Sequence, residues 1–309
     1  MSIGMYGWTP GEMNNQSGRS FVVTGANSGL GAVTARVLAE AGASVILACR
    51  NTDRGEAVAD RIRKSQPEAQ CEVRSLDLAD LSSVYAFTNE CPQIDVLINN
   101  AGVMAVPKTR TKDGFEMQLG TNHLGHFALT GLLLDRITDR VVTVSSGMHL
   151  IGRVDLKDLN WERRKYRRWP AYAQSKLANL LFTYELQRRF DAAGSGMRAV
   201  AAHPGYASTG LQSHTGTIQD RLMRVTNKLL AQSAEGGALP SLYAATAPSL
   251  PGGSYVGPAG RFEQRGSPVL VRSNKRSRDR TLAKGLWEES EALTGVAYRI
   301  PADTGSTQN

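Results

Sequence analysis

From about residue 20 to residue 256 the chain alternates short β-branched apolar runs with longer amphipathic stretches, and this alternation restricts its fold more than any other feature. The runs are SFVVT (20–24), SVILA (44–48), CEVRSL (71–76), DVLIN (95–99), RVVTVS (140–145), MRAVAAH (197–203) and the weaker GSYV (253–256). Each is too short for a globular helix, and most intervening segments carry a helical period. The pattern therefore reads βαβα, with a parallel sheet buried under helices on both faces. The expected fold class is α/β, a doubly wound parallel sheet of about seven strands.

A length of 309 residues admits one elaborated domain or two small ones. No composition shift, flexible linker or internal repeat divides the chain, so one domain over 18–300 is expected. Residues 1–17 read as a polar arm, 257–285 as irregular and 301–309 as a tail. With 41% hydrophobic and 21% charged residues the composition is that of a globular chain. No stretch approaches the roughly 18 uninterrupted apolar residues that span a bilayer. Cys49, Cys71 and Cys91 form no CxxC pair, so neither a disulfide framework nor a zinc site is expected. A cytoplasmic location is the expectation.

The first run leads directly into Thr24-Gly25-Ala26-Asn27-Ser28-Gly29-Leu30-Gly31 and then a strong helix former. Glycines at such a turn let backbone approach a pyrophosphate, whose charge suits the open N–H groups of a helix start. A lone GxxxGxG is weak; its place between strand and helix gives it weight. The second run ends Ala48-Cys49-Arg50-Asn51, without the carboxylate that usually accepts from the ribose of NAD(H). A guanidinium there favours a 2′-phosphate, which predicts NADP(H) over NAD(H).

Four further motifs follow in order: Asn99-Asn100-Ala101-Gly102, Asn122 in TNHLGHF, Ser145-Ser146, and Tyr172-Ala-Gln-Ser-Lys176. With the glycine turn they resemble the short-chain dehydrogenase/reductase family over roughly residues 17–300. YAQSKLANLLFTYEL, NHLGHFALT and HPGYASTGL are most similar to its retinol-dehydrogenase-like branch, which includes the oxidoreductase part of WW-domain oxidoreductases. The resemblance implies a Rossmann-type fold and an oxidoreductase that moves a hydride between NADP(H) and a carbonyl or alcohol substrate. It also implies an apolar substrate of retinoid, steroid or lipid-aldehyde type. A conjugated C=C reductase of the protochlorophyllide-reductase type and a non-catalytic NADP-binding module are the alternatives.

The residues carry this chemistry on their own terms. Positions 172 and 176 share a helix face, and Pro170 suits that helix's start, so the Lys176 ammonium can lie near the Tyr172 phenol. Lowering a phenol by two or three units from about 10 needs roughly 3–4 kcal/mol of phenolate stabilisation, much of which a desolvated cation can supply. Tyr172 is thus the expected general acid and base. By resemblance Ser146 matches the family's substrate-orienting hydroxyl, which would hydrogen-bond the carbonyl oxygen as charge develops there. By resemblance Lys176 also holds the nicotinamide ribose, and Asn122 supports a water-linked proton path. The resemblance likewise puts Asp77 and Leu78 by the adenine, Asn99 to Gly102 along the cofactor, and Pro204-Gly205 on the nicotinamide side. Asp77 as the cap of the following helix is an alternative.

Ser146 and Tyr172 are 26 positions apart, about twice the spacing of many family members. The insertion 147–169 resembles one typical of this branch and is a candidate wall of the substrate entrance. Segment 206–235 matches the substrate lid, with an amphipathic part that suits a lipophilic substrate, a membrane surface or core packing; 257–300 is a C-terminal extension. His123 and His126 lack accompanying carboxylates or cysteines, so packing is the reading and no metal is expected. His203 is assigned a structural role.

The net charge of +8 is localised in two segments, 153–168 at +4 and 261–284 at +6, with −2 over the rest of the chain. Trp161, Tyr166 and Trp169 interleave with arginines in the first, yet the segment lies between two catalytic motifs and reads as a solvated rim rather than a nucleic-acid face. A small-molecule partner is expected; an anionic partner for the basic segments, peripheral membrane contact and homo-oligomer formation stay open.

Overall fold

A computed structural model describes residues 7–205 and 233–300. Eight strands form one sheet in the order β3-β2-β1-β4-β5-β6-β7-β8. They are β1 (Ser20–Thr24), β2 (Ser44–Cys49), β3 (Gln70–Ser75), β4 (Ile94–Asn99), β5 (Ile137–Val144), β6 (Arg198–Ala202), β7 (Tyr255–Pro258) and β8 (Pro268–Leu270). The pairings through β7 are parallel, with Phe21 opposite Val45 on one side of β1 and opposite Val96 on the other. Strand order reverses direction at the β1/β4 junction, the crevice where open α/β sheets take ligands.

The sheet has one strand more than expected. β8 lies in the segment 257–285 read as irregular and pairs antiparallel with β7, Val256 opposite Leu270. Pro268 opens it, which an edge strand tolerates because no further neighbour asks for its N–H. The tertiary partner β7 makes this a strand; its own three residues carry no period.

The helices that cover the sheet are α1 (Gly29–Glu40), α2 (Thr52–Ser65), α3 (Leu81–Glu90), α4 (Gly125–Leu133), α5 (Arg168–Ala192), α6 (Ala234–Thr246) and α7 (Arg280–Thr294). A turn at Met117–Leu119 and a π-turn at Gly120–Leu124 lead into α4. α5 starts two residues before Pro170, within the first turn, where a missing N–H costs nothing. One core joins α1, α2 and α6 to Phe21, Val45 and Val96; the opposite core joins α3, α4 and α5 to Val22, Leu97 and Val141. Alternate residues of each strand thus feed the two faces.

Residues 7–17 pack on the body instead of trailing as an arm: the Trp8 ring lies 5.4 Å from that of Tyr243, and Gln16 is buried with its N–H donating to the Ala41 carbonyl. Of the lid expected at 206–235, residues 206–232 lie outside the described residues, and the rest opens α6 with Ser233 as its cap.

Candidate active site

The glycine turn brings α1 against the ends of β1 and β4. Gly25 and Gly29 take φ of +67° and +54°, a region residues with a Cβ rarely enter. A Cβ on Gly31 would stand 2.4 Å from the Gly25 carbonyl oxygen and 2.6 Å from Asn100 Nδ2. The Ser28 side chain does not cap α1, which leaves first-turn amides open to a ligand.

This turn is one wall of a cleft of ≈ 730 Å³, within the roughly 300–1,000 Å³ of small-molecule sites. Gly25, Asn27, Ser28, Gly29, Leu30 and Gly31 line it on one side. Arg50, Asn51, Asp77, Leu78, Asn100, Ala101 and Gly102 complete the part that sequence had singled out. Met104, Val106 and Met117 make the end near Gly102 apolar.

Arg54 also lines the cleft, and sequence reading passed over it. Asn51 Oδ1 accepts from the Arg54 N–H at 2.9 Å, so the cap of α2 holds Arg54 in the first turn, close to Arg50. The cap residue Asn51 three positions before Arg54 was the available signal. Asp77 is the single carboxylate among the lining residues. It does not cap α3: its Oδ1 accepts from the Ala79 N–H in a tight turn, and Asp80 caps the helix by accepting from the Ser82 N–H, both at 2.9 Å.

Two expectations need correction. Asn99 does not line the cleft: it is fully buried, and its Nδ2 donates to Thr130 Oγ1 at 2.9 Å, because its side chain points to the opposite face of β4 from the wall. The residues that line the cleft include neither Pro204 and Gly205 nor Asn122, Ser146, Tyr172 and Lys176. Gly205, at φ +66°, lies where a Cβ would come within 2.5 Å of the Gln264 carbonyl oxygen, so this turn packs on the C-terminal segment.

Gly102 joins the cleft to the remaining groups: a Cβ there would stand 3.1 Å from Asn122 Oδ1 and 3.6 Å from Lys176 Nζ. Asn122 is buried in the π-turn. Its Oδ1 accepts from the Val103 N–H at 2.8 Å, and its Nδ2 donates to the Val103 carbonyl and to Ser175 Oγ, each at 2.9 Å. The Ser146 hydroxyl oxygen, just past the end of β5, accepts from the Met148 N–H at 3.2 Å and lies close enough to the Tyr172 phenol to favour its phenolate. Ser145 Oγ donates to the Lys176 carbonyl at 2.8 Å and so ties α5 to that strand end.

The expected tuning of Tyr172 by Lys176 is not what the geometry gives. Burial pushes the Tyr172 phenol up to about 12, with the nearby Ser146 hydroxyl pulling the other way. Lys176 Nζ donates to the Val144 carbonyl at 2.9 Å and lies 5.8 Å from the Tyr172 ring centroid. Burial pushes its ammonium down to about 8. Desolvation of two neighbouring groups outweighs their mutual attraction, each being driven toward its neutral form.

In the insertion, Trp161 is buried under the Arg164 guanidinium at 3.8 Å, and the Tyr166 hydroxyl donates toward Glu116 Oε1 at 3.1 Å. Their inward placement takes both rings away from solvent, while Arg163, Lys165, Arg167 and Arg168 are exposed. Trp169, 38% exposed, sets its ring edge-on to that of Tyr172 at 6.3 Å and escaped the sequence reading as a site residue. Among the described residues no three His, Cys, Asp or Glu side chains gather as a metal site needs.

The sequence profile of the short chain dehydrogenase family matches residues 19–219. The chain belongs to that family. Human retinol dehydrogenase 13 is 43% identical to this short chain dehydrogenase over 293 residues, covering 90% of the chain and 85% of the relative. Mouse polyprenol dehydrogenase is 40% identical over 295 residues, covering 91% and 85%. A crystal structure from Mycobacterium paratuberculosis has 54% identity and a TM-score of 0.82, covering 95% of this chain and 99% of that one. Another, from Beutenbergia cavernae with NADP bound at low occupancy, has 28% identity and a TM-score of 0.61, covering 77% and 94%. The short chain dehydrogenase fold therefore brings with it oxidoreductase chemistry with a nicotinamide dinucleotide, and the glycine cradle and cleft fit such a group.

Proposed function

We propose that this chain is an NADP(H)-dependent oxidoreductase that interconverts a carbonyl and an alcohol on an apolar substrate, of the kind named in its retinol and polyprenol dehydrogenase relatives. The observation that carries this reading is the grouping of Ser146 with Tyr172 and of Tyr172 with Lys176, whose ammonium lies near Gly102 on a glycine-walled cleft that also takes in Arg50 and Arg54.

When bound, the nicotinamide supplies the hydride in reduction and accepts it in oxidation. Tyr172, protonated across the neutral range because burial raises its phenol, gives its proton to the carbonyl oxygen as charge develops there. The Ser146 hydroxyl donates a hydrogen bond to the same oxygen, where stabilising developing charge lowers the barrier. Lys176, charged below about 8, favours the phenolate that Tyr172 becomes. Arg50 and Arg54 would hold a 2′-phosphate by charge-assisted hydrogen bonds, and Met104, Val106, Met117 and Trp169 offer an apolar approach.

Purified protein given NADPH and all-trans-retinaldehyde is expected to oxidise NADPH and to form the allylic alcohol. A product saturated at a conjugated C=C bond would transfer the assignment to ene reduction. Arg50→Asp is expected to lower the NADP/NAD preference by about tenfold or more, the worth of one lost charge-assisted contact. An unchanged preference would remove the 2′-phosphate assignment.

A further inference from the structure

His126, in the first turn of α4 and 2% exposed, makes two hydrogen bonds that span the site from below. Its Nδ1 lies 3.1 Å from the Asn122 backbone carbonyl oxygen, and its Nε2 lies 2.9 Å from Thr24 Oγ1. A carbonyl oxygen only accepts, so Nδ1 carries the hydrogen. Burial, reinforced by the Lys176 charge, pushes the imidazole down to about 4, so the ring is neutral and Nε2 is an acceptor for the Thr24 hydroxyl. That hydroxyl's two lone pairs receive the N–H groups of Asn100 and Ala101, each at 2.9 Å. Its hydrogen has a second acceptor in reach, the Ile98 carbonyl oxygen, at the longer distance of 3.3 Å. With the hydrogen on His126 the donors and acceptors of imidazole and hydroxyl match one to one.

The geometry points to His126 as a positioning residue for the reaction: as a neutral Nδ1–H tautomer it connects the cofactor wall at Asn100 and Ala101, through Thr24, to the Asn122 turn that faces Lys176. This rests on the function proposed above. The Asn122 side chain is already spent on Val103 and Ser175, which leaves its carbonyl as the atom by which the turn can be set against β1. The two ends of this strut belong to different parts of the site. Thr24 ends β1 beside Gly25, whereas Asn122 lies beside Gly102 and 3.6 Å separates a Cβ on that glycine from Lys176 Nζ. A shift of the strut therefore changes where the proton-transfer groups stand relative to the cleft, while Asn100 keeps its own tie to the cradle through Nδ2, which donates to the Thr24 backbone carbonyl at 2.7 Å.

Two measurements test the assignment. Imidazole ¹⁵N spectra of the wild-type protein are expected to show His126 as one neutral Nδ1–H tautomer that does not titrate through the neutral range; an Nε2–H tautomer or an imidazolium there overturns the proposal. His126→Phe keeps an aromatic ring in the buried space and removes both hydrogen bonds. It is expected to lower kcat for retinaldehyde on the order of 10- to 100-fold, the scale of small misplacements in a reacting assembly, with much less change in NADPH affinity. Equal losses in kcat and NADPH affinity would mark a merely structural role and overturn it. Should the variant fail to fold, the wild-type tautomer decides. Wild-type protein that binds NADPH and reduces no aldehyde would sink the substrate assignment instead, a result distinguishable from either failure here.

Discussion

At the scale of single residues the site is governed by desolvation. Tyr172 and Lys176 are both buried, and each is pushed toward neutrality, the phenol to about 12 and the ammonium to about 8. The phenol keeps its proton well above neutral pH, so carbonyl reduction has its acid available. The ammonium loses its proton as pH rises through about 8, and with it the charge that favours phenolate. Reduction of retinaldehyde is therefore expected to decline as pH rises through that region, and a rate that is flat to pH values well above it would contradict the role given to Lys176. Tyr172→Phe keeps the ring and removes the proton donor. It is expected to abolish turnover while NADPH binding, followed by nucleotide fluorescence, persists; near-normal turnover would end the mechanism.

At the scale of elements, the contact between α1 and the β1 and β4 ends forms the cofactor cradle. Gly31 sits where a Cβ would meet Gly25 backbone and the Asn100 amide at 2.4 and 2.6 Å. Asn100 Nδ2 is not free to yield, since it donates to the Thr24 carbonyl at 2.7 Å. Gly31→Ala is thus expected to push α1 from the turn, at a cost of about 1–3 kcal/mol typical of overpacking, and to weaken NADPH binding. Thermal unfolding and nucleotide titration measure the two effects, and a variant unchanged in both would mean the turn is looser than described. The motif residues of this element were legible in sequence because strand, glycine turn and helix are contiguous. The eighth strand was not, because its identity as a strand comes from pairing with β7 rather than from its own three residues.

At the scale of the whole molecule, two histidines are sealed between α4 and its neighbours. His123 Nε2 meets Ser290 Oγ at 2.9 Å across to α7, and burial pushes the two imidazoles down to about 3 for His123 and about 4 for His126. Unfolding returns them to about 6.5, so the unfolded chain binds more protons below that pH. The stability from keeping them neutral is complete above about 6.5 and is lost as pH falls toward 4 and 3, at roughly 1.4 kcal/mol per pH unit for each histidine. Urea unfolding is expected to show a clearly lower midpoint at mildly acidic pH than at neutral pH. An equal midpoint would mean that these rings are hydrated.

Sequence by itself determined the alternation of strands and helices, the glycine turn at Gly25 to Gly31, and the shared helix face of Tyr172 and Lys176. These follow from residue periods and from motifs placed at strand ends, which are local or nearly so. Only the tertiary structure decided that Lys176 is spent on the Val144 carbonyl, that Asn99 faces away from the cleft, that Pro204 and Gly205 pack elsewhere, and that His126 bridges Thr24 to Asn122. Each of those outcomes depends on burial and on a hydrogen-bond partner distant in the chain. An unmet buried donor or acceptor is costly enough to choose its partner from whatever the fold brings near, and that choice is made in space rather than along the sequence.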